Sequence, residues 1–281
     1  MTLRALLLWC CVAASLSATQ QAPSLVADAR ISPDGQSIAF VRHAGPGGQS
    51  LGVFRIGFGG QPEGSLADGG GIISDIQWSP AGDAIAYIAR SAAGADGVLR
   101  IVPGGGGEAR SISTPGRDVI AYQWSIDGRR VLYESVPQGN PQGPRQINVA
   151  TAGRIESTAP FPAINRDLGP ADVITPIRDA TILFVTPVGE RQQSVTLSNG
   201  NETWIDLISA DGNRLTVMPP GLARIVSPPS WSSDGTRFAV IAAPGDGPPE
   251  IFAGSLPRPQ PTGFNMGAVP PMVRQVTGSP R

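Results

Sequence analysis

The sequence predicts an all-β fold, a β-propeller of four-stranded antiparallel blades, and three observations lead there. A ten-residue pattern of an apolar residue, a turn and a strand recurs four times. The turn glycines recur at a near-constant interval. Beyond the first 18 residues, no segment longer than a turn carries the i, i+3, i+4, i+7 apolar spacing of an amphipathic helix.

The first residues set the compartment. Met1 to Arg4 is a short positive start, Ala5 to Leu16 is apolar with Leu6, Leu7, Leu8 and Val12, and the small residues Ser15, Ser17 and Ala18 offer a cleavage site. This predicts a signal peptide over residues 1–18 and a periplasmic or secreted protein. The run is shorter than the roughly 20 residues that cross a bilayer, and no later stretch is long enough, so no membrane span is expected after cleavage.

Both cysteines, Cys10 and Cys11, lie inside that run, and no Leu-x-Gly/Ala lipoprotein pattern precedes them. The mature chain is therefore expected to lack disulfides, Cys-ligated zinc and thiol catalysis, and to depend on its hydrophobic core. About 260 residues suffice for such a core. All 21 basic residues are arginine, which excludes P-loop phosphate binding and Schiff-base chemistry. A formal charge of −1 argues against nucleic acid as a partner.

Gly and Pro supply 36 and 28 residues, and these breakers are periodic. Four segments superimpose: Ile31-Ser-Pro-Asp-Gly-Gln-Ser-Ile-Ala-Phe40, Trp78-Ser-Pro-Ala-Gly-Asp-Ala-Ile-Ala-Tyr87, Trp124-Ser-Ile-Asp-Gly-Arg-Arg-Val-Leu-Tyr133 and Trp231-Ser-Ser-Asp-Gly-Thr-Arg-Phe-Ala-Val240. Gly35, Gly82, Gly128 and Gly235 are spaced by 47, 46 and 107 residues. The double interval predicts a degenerate copy, assigned to Arg178–Val185, with Asp179-Ala180 in place of the turn and Ile182 and Phe184 in the strand after it.

Pro33 and Pro80 pre-set φ at the second turn position. Asp34, Asp127 and Asp234 can accept from their own backbone, and the following glycine can take φ > 0. After each turn, Ile38 and Phe40, Ile85 and Tyr87, and Val131 and Tyr133 alternate as in a strand buried on one face. A second apolar strand follows in each unit: Val53–Ile56, Val98–Val102, Gln146–Val149, Trp204–Ile208 and Glu250–Phe252. A turn comes next, as at Asp211-Gly212 or Gly104–Gly107, and then a third strand such as Arg110–Ser113 or Arg214–Val217. Three or four short strands per period fit propeller blades near 29–75, 76–120, 121–172, 173–226 and 227–281. The Pro-rich stretch from Thr158 to Thr175 reads as an inter-blade loop or insertion.

On these four motifs the chain resembles the PD40, or WD40-like, propeller family, whose blade motif is close to Trp-Ser-Pro-Asp-Gly-x-x-Ile-Ala-Phe, over most of residues 29–255. The motif describes a structural turn and is specific for fold, not function. Two exported groups use such blades, the TolB-like protein-binding propellers and the prolyl oligopeptidase-type serine peptidases. The second group includes dipeptidyl and acylaminoacyl peptidases and lasso-peptide isopeptidases, in which a propeller filters substrates for an α/β-hydrolase domain. The early first repeat and the uneven blades resemble the peptidase group more closely. Val273–Pro280 resembles a strand and turn leading into a further motif, so the chain is expected to end inside a propeller, as a fragment lacking the hydrolase part. The resemblance implies a non-catalytic gating propeller, with a TolB-like binding propeller as the alternative, and a peptide or protein ligand on its face or channel.

No catalytic, cofactor or metal residues are expected. Gly48-Gln-Ser-Leu-Gly52 matches the Gly-x-Ser-x-Gly elbow of serine hydrolases, but Ser50 falls in a hairpin and the single histidine, His43, precedes it. Asp34, Asp127 and Asp234 belong to separate turns and are not expected to share an ion. Adjacent Asp-Gly pairs also miss the sialidase-type Ser-x-Asp-x-Gly box. Trp78, Trp124 and Trp231 are read as blade-core residues, and Trp204 is unassigned. Gly69–Gly71 and Gly104–Gly107 read as flexible turns rather than phosphate loops, because neither precedes a helix or Lys. Arg100, Arg129, Arg130 and Arg145 can line a channel for peptide carboxylates or sit on solvated strand edges.

Overall fold

A computed structural model describes residues 24–45, 48–60, 62–152, 180–188, 192–209, 214–256 and 272–277. The expected signal peptide, the Thr158–Thr175 stretch, the Asp211-Gly212 turn and the Asp179 end of the degenerate copy lie outside them. Every regular element among the described residues is a strand.

The strands form successive antiparallel meanders. The first sheet holds β1 (Ser24–Ile31), β2 (Ser37–Ala44), β3 (Ser50–Gly57) and the start of β4 (Pro62–Trp78). The end of β4, with β5 (Ala84–Arg90), β6 (Val98–Pro103) and β7 (Arg110–Ser111), makes the second. In the third, β8 (Arg117–Trp124), β9 (Arg130–Pro137) and β10 (Gln146–Thr151) follow in order. The fourth runs β11 (Thr181–Val188), β12 (Gln192–Ser198), β13 (Thr203–Ser209) and β14 (Arg214–Met218). In the fifth, β15 (Arg224–Ile225) and β16 (Ser230–Trp231) both pair with β17 (Arg237–Ala243), which leads to β18 (Glu250–Ser255) and β19 (Met272–Gln275). The fold is an all-β propeller of antiparallel blades.

In the first, second, third and fifth blades the repeated motif joins the strand before the turn to the strand after it. Ser32, Ser125 and Ser232 each donate to the aspartate two residues on, at 2.5, 2.6 and 2.6 Å. That aspartate accepts the amide of Gln36, Arg129 or Thr236, so hydroxyl and carboxylate together satisfy the turn's polar groups. The second blade has Ala81 in place of aspartate, and Asp83 accepts the Ser79 hydroxyl instead, at 2.5 Å. The turn glycines have φ between 66° and 75° and abut the preceding blade. A Cβ on Gly35 would lie 2.9 Å from Arg237 Cδ, and one on Gly235 3.0 Å from Val188 Cγ1. Both backbone angle and space therefore demand glycine there.

Apolar packing fixes the order of the blades. Ile85 and Tyr87 pack with Val41 and Val53 of the first blade, and Val131 and Tyr133 with Ala86 and Ile88 of the second. Phe238 and Val240 meet Ile205 and Leu207 of the fourth, while Ile38 and Phe40 meet Ile241 and Ile251 of the fifth. The spatial succession is fourth, fifth, first, second, third. The one-face expectation for the post-turn strand is corrected: Ile38, Ala39, Phe40 and Val41 are all buried, the large pair toward the preceding blade and the small pair toward the next. A strand with neighbours on both faces reads as a continuous apolar run.

Two further sequence expectations change. Thr181–Val188 is the first described strand of the fourth sheet and pairs with β12, so the position beside Trp204–Ile208 belongs to Gln192–Ser198. In the sequence, Gly189 lies 46 residues before Gly235, the interval that separates Gly82 from Gly128. Gly69–Gly71 is not a turn but part of β4, where that strand leaves the first sheet for the second. Val273–Gln275 pairs with β18 as the outer strand of the fifth blade, and that blade packs on the first.

Candidate functional site

The leading strands carry a recurring distortion. Asp28 and Asp75 each lie seven residues before a turn glycine, and each has positive φ, 50° and 55°. Each sits at a break in ladder register, between Ala27 and Ala29 and between Ser74 and Gln77. Aspartate tolerates this left-handed conformation better than most residues, and the bulge turns its carboxylate toward neighbouring strands. Asp28 accepts the Ile76 amide at 2.8 Å and pairs with Arg30 at 2.8 Å. Trp78 Nε1 donates to Arg30 O at 3.0 Å, and Tyr122 shares its one hydroxyl proton between Ala86 O, at 2.8 Å, and Asp75 O. The leading strands of the first three blades are thus stapled edge to edge.

Burial pushes the Asp28 carboxyl above the usual carboxylate range, and Asp75 adds to this against the pull of Arg30 and the Ile76 amide. Asp34 and Asp234 go the other way. Burial raises them, but the Ser32 and Ser232 hydroxyls, the Gln36 and Thr236 amides and Arg237 outweigh it. A raised folded pKa contributes stability at low pH that is lost as pH rises through it, whereas a lowered one contributes stability that is lost as pH falls through it. Asp28→Asn is therefore expected to raise the melting temperature at pH 7. Asparagine keeps an acceptor for Ile76 and tolerates positive φ. The gain should vanish below about pH 4, as read by thermal melts across pH, while the acid loss through Asp34 and Asp234 persists in both proteins.

Beside these strands is a cavity of about 510 Å³ where the leading strands of the fourth, fifth and first blades meet. Pro187, Pro228, Pro229 and Trp231 give it apolar walls, and Arg30 lines it with positive charge. Trp231 Nε1 donates to Ser194 at 2.9 Å, and its ring lies 4.9 Å from Phe238. Trp231 therefore joins two blades and lines the cavity at once. Trp124 is buried against the second blade, with no hydrogen-bond partner for its Nε1 among the described residues.

Ser50 and His43 do approach, with Oγ 3.4 Å from Nδ1. Ser50 lies within β3 of a hairpin, is 3% exposed and accepts the Ile73 amide at 2.8 Å. His43 Nδ1 also faces Gly48 O at 3.2 Å. Arg237 donates to Gly35 O at 2.9 Å and Ser233 N to Pro33 O at 3.0 Å, so the Asp34 and Asp234 turns stack. Asp127 stays in the third blade. Among the described residues no three His, Cys, Asp or Glu side chains converge as metal ligands, and no helix is long and apolar enough to cross a membrane. Arg100 packs between blades, whereas Arg145 pairs with Glu134 at 2.8 Å on an exposed edge.

The sequence reading missed Asp28, Asp75, Arg30 and the prolines. The shared seven-residue offset before the turn glycine was a signal for the aspartates. The prolines had none, because they come from two blades.

No family model matches the chain, and no curated protein matches it. Among solved structures, prolyl oligopeptidase B from Galerina marginata is 14% identical, with a TM-score of 0.44 over 90% of this chain and 42% of that one. The AtxE2 isopeptidase is 13% identical, with a TM-score of 0.45 over 84% and 51%. A protein assigned as TolB from Agrobacterium tumefaciens is 14% identical, with a TM-score of 0.33 over 91% and 81%. The chain thus spans less than half of the oligopeptidase it matches.

Proposed function

We propose that this protein is a non-catalytic, exported propeller that admits peptide where its leading strands meet, as the substrate-gating part of a prolyl oligopeptidase-type serine peptidase. The observation that supports this most is the cavity beside Arg30, Pro187, Pro228, Pro229 and Trp231. Arg30, whose charge is balanced by Asp28, can still donate to a peptide carboxylate or carbonyl, and the apolar walls suit side chains. The adjoining seam between the fifth and first blades favours the same reading. Among the described residues no strand is shared across it, and side-chain packing with a few hydrogen bonds, such as the Ile31 amide to Ser230 Oγ at 3.1 Å, holds it. Such a seam can part without breaking a ladder.

Titration with an unstructured decapeptide is expected to change tryptophan fluorescence saturably, and Arg30→Ala should weaken binding about tenfold, as for a charged hydrogen bond. The same chain should not react with a fluorophosphonate probe. Labelling, or no response to any peptide, overturns the proposal, and binding of a folded protein in place of peptide points to a TolB-like use.

A further inference from the structure

A second cavity, of about 270 Å³, lies between the first and second blades. One wall is nearly bare backbone, at the changeover in β4. A Cβ on Gly69 would lie 1.8 Å from Ser50 O and one on Gly71 1.9 Å from Arg90 O, so both glycines are required by close backbone approach. A Cβ on Gly70 would meet nothing within 4 Å. Gly70 lines the cavity and leaves it open.

Tyr87 and Arg100, register partners on β5 and β6, also line the cavity. Tyr87 is 1% exposed, yet its hydroxyl has no hydrogen-bond partner among the described residues. Arg100 donates Nη2 to Ala109 O at 3.0 Å, but its buried Nε has no partner. Burial raises the Tyr87 pKa against the pull of Arg100, so the phenol stays protonated and can donate. Two buried donors on one cavity wall carry a desolvation cost that an acceptor between them would offset.

Arginine and a phenol suit a planar pair of oxygens. Asp68 and Arg90 also line the cavity, so that with Arg100 the lining has one cation in excess and suits a monoanion, and Ile73, Ala89 and Val98 form an apolar part of it for an aliphatic group. We propose that this cleft binds a short aliphatic carboxylate, with Tyr87 Oη and Arg100 Nε donating to its two oxygens. The site does not depend on peptide entry at the leading strands.

Calorimetry on the full chain with butyrate, N-acetyl-alanyl-valine, its C-terminal amide and inorganic phosphate tests this. Expected is binding of at least one of the two acids and of neither the amide nor phosphate. Butyrate alone identifies free acids as the source, and the dipeptide acid alone a peptide C-terminus. Tyr87→Phe should weaken acid binding about tenfold without lowering the unfolding midpoint, since its hydroxyl has no partner among the described residues. Arg100→Met should weaken it at least as much. No acid binding, equal binding of the amide, tighter binding of phosphate, or wild-type affinity in both variants overturns the proposal. Decapeptide binding that depends on Arg30 is a separate readout, so either proposal can fail alone.

Discussion

Phe238→Ala is expected to lower the unfolding free energy by about 3–5 kcal/mol, the range for truncating a buried aromatic. Phe238 is fully buried where the fourth and fifth blades meet. Its ring lies 4.9 Å from Trp231, and Gly254 passes so close that a Cβ there would fall 2.3 Å from Phe238 Cε1. Backbone on one side and a neighbouring blade on the other leave little scope for collapse into the cavity. Urea unfolding should show a lower midpoint at unchanged slope. A loss below about 1 kcal/mol would mean that the two blades do not meet through this ring. Domains of ordinary stability have roughly 5–15 kcal/mol in all, so the full effect removes a large share.

Asp206→Ala is expected to cost about 3–5 kcal/mol for a different reason, the loss of one partner from a buried ion pair. Asp206 is fully buried on β13 and accepts from Trp204 Nε1 at 3.1 Å, Arg214 Nε at 2.6 Å and Thr216 Oγ1 at 2.7 Å. Removing the carboxylate leaves three donors unsatisfied and a partly buried guanidinium without its counter-charge. Combining it with Arg214→Met should recover part of the loss, because the unpaired charge goes too. Denaturation of the single and double variants reads this coupling. Strict additivity would show that the pair does not act as a unit. The cluster also gives Trp204, which the sequence pattern left unassigned, a place as a donor to the buried carboxylate.

The turns were legible because their chemistry is local. Ser32, Asp34 and Gly35 satisfy one another within a few residues, and any strand-turn-strand unit with that pattern faces the same backbone requirements. The degenerate copy of the fourth blade was assigned to the wrong strand for the same reason. Ile182 and Phe184 match the strand pattern, and only pairing of Thr181–Val188 with Gln192–Ser198 reveals them as a leading strand. The Ile-Ala-Phe and Ile-Ala-Tyr pattern was visible as well, but alternation alone does not say that the second face is also covered.

Alone, then, the sequence determined an all-β chain, its repeated turn, and the alternation along its post-turn strands. Those properties follow from backbone angles, short-range hydrogen bonds and a two-residue side-chain period. Tertiary structure decided which blade each face meets, that the fifth blade lies against the first, and that Arg30 shares a cavity with Pro187 and Trp231. Ser230 reaches Ile31 across 199 residues of chain, and Arg237 reaches Gly35 across 202. Apolar burial is non-directional and specifies no partner, so those choices depend on how the faces of distant blades fit together.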